Sequence, residues 1–326
     1  MDCTRRQWIC GASAVALTAS KSFALQGHPA AALDEGPEVE RFRNAERRAL
    51  ATFRVAAESR FVTLRKPALK VHVLAAGKGS PVLLIHGGGA VAVQFAPVLS
   101  VVAGDFRCFA PDRPGCGLTD RFDYTNIPFR QHAIDFVGSL MDALDLPKAA
   151  LVGNSMGGLW ALLFALAAPE RVAKLVLLGG PAASGPPPYP RRPPRAREGD
   201  ASLDAMRAGY RVVMADADRV PNDILEADFA ASKLPGASRA WNTMVEDVVR
   251  EHITTYALRP ELKNLKPPTL FAYGDKDMEG PPSVAREMAE LAPNARCEIV
   301  ADAGHLVWLD QPRVCVKLLL DFLKSA

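Results

Sequence analysis

Leu151-Val152-Gly153-Asn154-Ser155-Met156-Gly157-Gly158 decides how this chain folds. An apolar run from Ala149 to Val152 stops at Gly153, and a second apolar run, Leu159 to Ala168, follows almost at once. The first reads as a buried strand and the second as a helix. Turning from strand to helix in so few residues leaves no room for side chains at Gly153 and Gly157. It also forces the apex residue into a strained conformation with its side chain lifted out of the sheet. The spacing is that of a G-x-S-x-G nucleophile elbow, with Ser155 at the apex. A helix-capping turn with Ser155 as N-cap would use the same residues. The rest of the chain separates the two readings.

Working outward, strands and helices alternate. Arg60 to Leu64 and Leu69 to Ala75 form an expected antiparallel pair, and Gly77-Lys78-Gly79 turns the chain into the apolar strand Pro81 to Ile85. His86-Gly87-Gly88-Gly89 follows directly. A helix from about Val93 to Val102, a strand from Arg107 to Ala110 and a helix from Phe129 to Leu144 lead to the elbow. Val172 to Leu178, Thr269 to Tyr273 and Ala295 to Val300 supply further strands. This alternation predicts an α/β fold with a mostly parallel sheet covered by helices on both faces. Between residues 181 and 266 a proline-rich basic tract and two helical patterns, Ala201 to Ala217 and Ala237 to Tyr256, interrupt the sheet. Ligands of such sheets sit outside the carboxyl ends of the strands, so an insertion at that edge reads as a lid. The expected organisation is therefore a core of 61–180 and 267–326 with a helical lid at 181–266.

The 326 residues, 49% hydrophobic and 23% charged, suffice for one large α/β domain, and a net charge of +3 gives no nucleic-acid footprint. No apolar run is long enough to span a bilayer. Arg5-Arg6 precedes a small-residue segment and Ser22-Phe23-Ala24, which resembles a twin-arginine export signal occupying residues 1–24. Export to the periplasm is the expectation, and a cytoplasmic protein with an apolar tail is the alternative. Residues 25–60 read as a linker and an amphipathic helix (Glu38 to Ser59) that packs on the domain rather than on a membrane. Of the cysteines that survive signal removal, Cys108, Cys116, Cys297 and Cys315 match no metal spacing and read as small hydrophobes.

A serine hydroxyl is a weak nucleophile and needs a base that a carboxylate orients. Among six histidines, His28, His72, His132 and His252 lie in the linker, an early strand, a helix start and the insertion. His86 belongs to the glycine run and supports that loop. His305, on the loop after the last strand, is the expected base. Phe271 to Asp277 ends a strand with two carboxylates. Asp275 suits an Asx turn, and Asp277 is the expected orienting acid. Two backbone amides are expected to hold the oxyanion: Met156, aided by the helix dipole, and Gly88, with Gly89 close behind. Gly89, Asn154 and His86 are supporting residues. No Gly-Lys-Ser/Thr or G-x-G-x-x-G arrangement accompanies the glycine run, so a phosphate cradle is not read there.

His86-Gly87-Gly88-Gly89, Pro111-Asp112-Arg113-Pro114-Gly115-Cys116-Gly117, Gly153 to Gly158, Gly274-Asp275-Lys276-Asp277 and Gly304-His305 together resemble the α/β-hydrolase superfamily over about residues 61 to 326. The resemblance implies a Ser155–Asp277–His305 triad and an acyl-enzyme resolved by water, with no metal and no organic cofactor. The expected partner is a small-molecule ester or lactone, with neither nucleic acid nor a membrane segment in the mature chain. The alternative is hydrolysis of carbon–carbon bonds in ring-fission products, vinylogous diketone acids. Hydrolases of that kind share Gly-Asn-Ser-Met-Gly-Gly and His-Gly-Gly-Gly. They usually carry an aromatic residue where Leu306 stands and Pro-Gly where Ala90-Val91 stand. Such a substrate needs a cation for its carboxylate, and Arg207, Arg211 and Arg239 of the insertion are available. A hydrolase-fold binding protein with slow turnover is the reading from another class. Serine at the elbow argues against the aspartate-dependent dehalogenases and epoxide hydrolases, and Cys116 carries no assigned role.

Overall fold

The computed structural model describes residue 33 and residues 35–181, 202–250 and 257–325. The export-type segment, most of the linker, the proline-rich tract and the last turns of the second expected insertion helix lie outside the described residues. In chain order the elements begin with α1 (Pro37–Thr52), β1 (Ala57–Arg65), β2 (Ala68–Ala76), β3 (Ser80–Ile85), α2 (Ala96–Val102) and β4 (Phe106–Pro111). Then come α3 (Phe129–Ala143), β5 (Ala149–Asn154), α4 (Ser155–Ala167) and β6 (Val172–Leu178). The insertion supplies α5 (Leu203–Val213), α6 (Asn222–Ser232) and α7 (Ala237–Arg250). The chain closes with β7 (Thr269–Gly274), α8 (Pro282–Leu291), β8 (Ala295–Val300), the short α9 (Val307–Asp310) and α10 (Pro312–Lys324).

The strands form one eight-stranded sheet in the order β1-β2-β4-β3-β5-β6-β7-β8. β2 runs antiparallel to β1 and β4, and every other pairing is parallel. Strand side chains alternate between faces. Val82 and Leu84 enter one core with α1, α2 and α10, while Leu83 and Ile85 enter the other with α3, α4 and α8. Burial on both faces explains why β3 and β5 read as continuous apolar runs rather than alternating ones.

Three local readings change. The leading helix stops at Thr52 instead of continuing to Ser59. Arg54 adopts φ 53 and Val55 N–H closes on Leu50 O at 2.9 Å, so the chain turns into β1 at Ala57. The helix expected from Val93 begins as a 3-10 turn, Ala92–Phe95, and becomes α-helical only at Ala96. α6 lacks an amphipathic signal because Ile224, Leu225, Ala227, Asp228, Ala230 and Ala231 are all buried.

α1 packs its Val39, Phe42, Ala45, Ala49 and Leu50 face into the core and lies against α6, where Arg48 pairs with Glu226 at 2.8 Å and Thr52 donates to Asp223 at 2.6 Å. Both contacts are exposed, so their worth is small beside that of the apolar face. Beneath α1 lies a buried ionisable cluster. His72 Nδ1 is 2.8 Å from Asp112, its Nε2 is 2.8 Å from Ser59 Oγ, and the Glu46 carboxylate is 3.7 Å from Nε2. Burial pushes Glu46 up to about 7 against the pull of His72, with Asp112 adding and Arg43 opposing. Burial also works against the charge of His72, but Asp112 and Glu46 outweigh it and raise the imidazole.

These shifts share one sign. Unfolded Glu46 would lose its proton near its ordinary 4.5, whereas the folded chain holds it to about 7. Folding therefore takes up a proton between those values, and stability falls as pH rises across them. Urea unfolding from pH 4.5 to 8 is expected to show the native chain losing roughly 2–4 kcal/mol relative to Glu46→Gln. Parallel curves for the two proteins would contradict this.

Candidate active site

β5 ends at Asn154 and α4 begins at Ser155, so the elbow occupies no extra residues. Ser155 sits at φ 50, a region that side-chain-bearing residues rarely enter. Packing holds it there. A Cβ on Gly157 would lie 2.1 Å from Ile85 O and 2.5 Å from His86 O, so only glycine lets α4 start this close to the end of β3. Met156 is the second residue of α4, and its N–H is among those a helix start leaves without an intrahelical acceptor.

His305 follows β8 on a loop that the insertion grips. Its N–H donates to Val213 O at 2.7 Å, while Asp310 accepts from Gly304 N at 2.8 Å and Ala215 N at 2.9 Å. The imidazole Nδ1 lies 3.1 and 3.0 Å from the two Asp277 oxygens. Asp277 also accepts from the amides of Gly180 at 3.0 Å and of Glu279 and Gly280 at 2.9 Å. Burial opposes its charge, but His305 and the Gly180 and Gly280 amides hold the carboxyl below the usual range. Among the described residues, His305 Nε2 is buried and has no hydrogen-bond partner. Asp275 accepts from Ala303 N at 3.2 Å and takes no part in this arrangement.

Ser155, His305, Gly87, Gly88, Gly89 and Asn154 meet at one cavity of about 180 Å³. Asn154 donates to Leu178 O at 2.7 Å and His305 O at 3.3 Å, tying the elbow to the histidine loop. His86 points away from the cavity's chemistry. Its Nδ1 meets Gly87 O at 2.8 Å and its Nε2 accepts from Arg113 N at 3.0 Å. The buried Arg113 guanidinium adds bonds to His86 O and Gly87 O at 3.0 and 2.8 Å and lies over the Trp160 ring. Asp112 receives Ala92 N and Leu118 N at 2.8 and 2.9 Å, pinning the same loop from behind.

The opposite wall was not legible in the sequence. Gln94 Nε2 donates to Tyr210 OH at 3.1 Å and to Asp228 at 2.9 Å, and Tyr210 donates to Asp228. All three line the cavity with Met206, Val213 and Leu306. Their partnership spans 134 positions and joins the 3-10 turn after the glycine loop to α5 and α6, which no local spacing encodes. The three arginines considered for a substrate carboxylate are not among the residues lining the cavity. Arg207 bonds Asn222, Arg211 is exposed and Arg239 pairs with Asp123.

The described donors closest to a metal-binding set are Glu46, His72 and Asp112. Asp112 and His72 spend their atoms there on Ala92, Leu118, Ser59 and each other, so the cluster works as a hydrogen-bonded anchor. His132 stacks on Phe122 and burial pushes it down to about 3, a neutral core residue. Cys108, Cys116, Cys297 and Cys315 are free thiols, and burial pushes Cys108 and Cys315 up to about 12.

Two glycines should respond oppositely to alanine. Gly157→Ala must displace backbone and is expected to cost on the order of 4 kcal/mol in urea unfolding. Gly209 lies inside α5 with no atom of the described residues within 4 Å of an added Cβ, so Gly209→Ala should stabilise by about 0.5–1 kcal/mol. Similar effects at the two positions would contradict the packing described here.

The described helices include none long and apolar enough to cross a membrane. Among similar proteins, the 2-hydroxy-6-oxo-6-phenylhexa-2,4-dienoate hydrolase of Burkholderia cepacia is 28% identical, over 82% of this chain and 96% of that protein. A solved meta-cleavage product hydrolase from Pseudomonas fluorescens IP01 superposes with a TM-score of 0.68 at 25% identity, covering 81% of this chain and 97% of that one. The carboxylesterase CesB of Bacillus subtilis reaches a TM-score of 0.70 at 21% identity, over 89% of this chain and 99% of that one, which speaks to fold alone. The profile of the Alpha/beta hydrolase family matches residues 82–318, and with the sheet order and the elbow in place the chain belongs to that family of hydrolases.

Proposed function

We propose that this hydrolase attacks an activated carbonyl carbon with Ser155 and cleaves the carbon–carbon bond beside it in a vinylogous diketone acid. The observation that carries the serine chemistry is His305: Nδ1 is held by a carboxylate, while the unpaired Nε2 is buried at the cavity that Ser155 also lines. The choice of bond is supported by the Burkholderia cepacia dienoate hydrolase and the solved meta-cleavage product hydrolase, whose names describe such substrates. Nε2 takes the proton as Ser155 Oγ bonds to the carbonyl carbon. The amides of Met156 and Gly88 stabilise the resulting oxyanion, an interaction worth about 3–4 kcal/mol per donor. Collapse breaks the carbon–carbon bond, and the departing dienolate carbon receives the proton from His305. Water, activated by the same imidazole, then releases the acid. The insertion serves as the lid that keeps bulk water from the acyl-enzyme.

Carboxylic ester hydrolysis is the second reading, and the cavity wall favours it. Among the described lining residues there is no Lys or Arg, and Asp228 contributes a carboxylate. That lining suits an uncharged substrate. Both readings use the same nucleophile and differ only in the leaving atom.

The test compares a 2-hydroxy-6-oxo-dienoate, followed by loss of its absorbance, with p-nitrophenyl butyrate. The expected result is a higher kcat/KM for the dienoate, with Asp277→Asn lowering kcat about 10⁴-fold on either substrate. Activity confined to the ester would replace the first reading by the second. Near-normal turnover in Ser155→Ala or His305→Ala would overturn both.

A further inference from the structure

We infer that Trp241 is a specificity-determining residue that separates the reaction cavity from a second, apolar cavity behind the glycine loop. The inference rests on Ser155 being the nucleophile. A Cβ on Gly88 would lie 2.1 Å from Trp241 Cζ3 and 2.2 Å from Cη2, so the indole from α7 lies directly on the backbone of that loop. One residue earlier, Ala240 packs just as closely on Gly115, where a Cβ would come within 2.3 Å. α7 is thus seated on both glycine turns beside the site.

The indole also lines a cavity of about 20 Å³, room for roughly one water. Its walls include Cys116, Tyr124, Ala231, Ala237 and Met244, and Trp241 itself. Gly89 and Ala90 border this cavity and the 180 Å³ one alike, while Ser155 and His305 border only the larger. The two spaces therefore share Gly89 and Ala90, and Trp241, which lines the smaller one, lies against Gly88 of the larger. A substrate group extending past Gly88 meets the indole and stops. With the indole removed, the space it vacates is lined by small and sulfur-bearing apolar side chains, which suit an alkyl or aryl group. Trp241 sets how large an apolar group the site accepts on that side.

Full-length chain and its Trp241→Ala and Trp241→Phe variants would be assayed on p-nitrophenyl esters of two to ten carbons. The ratio of kcat/KM for the octanoate to that for the acetate should rise at least tenfold in Trp241→Ala and less in Trp241→Phe. A ratio unchanged while all esters slow together would overturn the assignment, because a purely structural role weakens every substrate alike. A second readout needs no ester turnover. In Trp241→Ala, maleimide labelling of Cys116, resolved by peptide mass, should slow at least fivefold once an octyl phosphonate occupies Ser155. In the native chain labelling should not respond to the phosphonate, and an unresponsive Cys116 in the variant would also refute the shared wall. Ser155→Ala marks the difference between failures: if it still turns over ester, the nucleophile is misassigned; if it is inert and the ratio is flat, only Trp241 is.

Discussion

One strained residue organises this molecule. Ser155 stays at φ 50 where Gly157 lets α4 press against the carbonyls of Ile85 and His86 at the end of β3. The strain is local, on the order of 1–3 kcal/mol, and the two buried cores flanking the sheet offset it. What it secures is direction. The serine hydroxyl leaves the sheet at the same edge where β3 releases the glycine loop and β7 and β8 release Asp277 and His305.

The same edge is braced from two sides. From the core, Arg113 and Asp112 hold the carbonyls and amides around His86 to Ala92, so the glycine loop is fixed although glycine itself is permissive. From above, the insertion holds the His305 loop through Val213 and through Ala215, which shares Asp310 with Gly304, and it meets Gln94 of the turn after the glycine loop through Tyr210 and Asp228. α1 extends that bracing outward. It stands N-terminal to the segment matched by the family profile, and it packs on α6, whose Asp228 lines the cavity. The buried Glu46–His72–Asp112 cluster lies beneath that helix, with Glu46 on the helix itself and His72 and Asp112 on the sheet side.

Much of this was legible from residues alone, for physical reasons. Apolar runs broken by glycine encode a parallel sheet and its elbow, because burial on both faces and a forced turn leave marks within ten residues. The Asp277–His305 pairing was legible because each residue lies on the loop that follows a strand of the sheet. The polar wall was not, since Gln94, Tyr210 and Asp228 lie on three separate elements. α6 was hidden by being buried all round, and the end of α1 by a left-handed turn at Arg54 that no glycine announces. Arg207, Arg211 and Arg239 show the converse limit: charge in an insertion says nothing of which way it faces.

The central claim is that Ser155 is the nucleophile of this cavity. Its most direct measurement is reaction of the folded chain with a fluorophosphonate, followed by peptide mass spectrometry. The expected result is one adduct, on the peptide carrying Ser155, formed far more slowly in His305→Ala. An adduct on another residue, or none on a demonstrably folded chain, would contradict it.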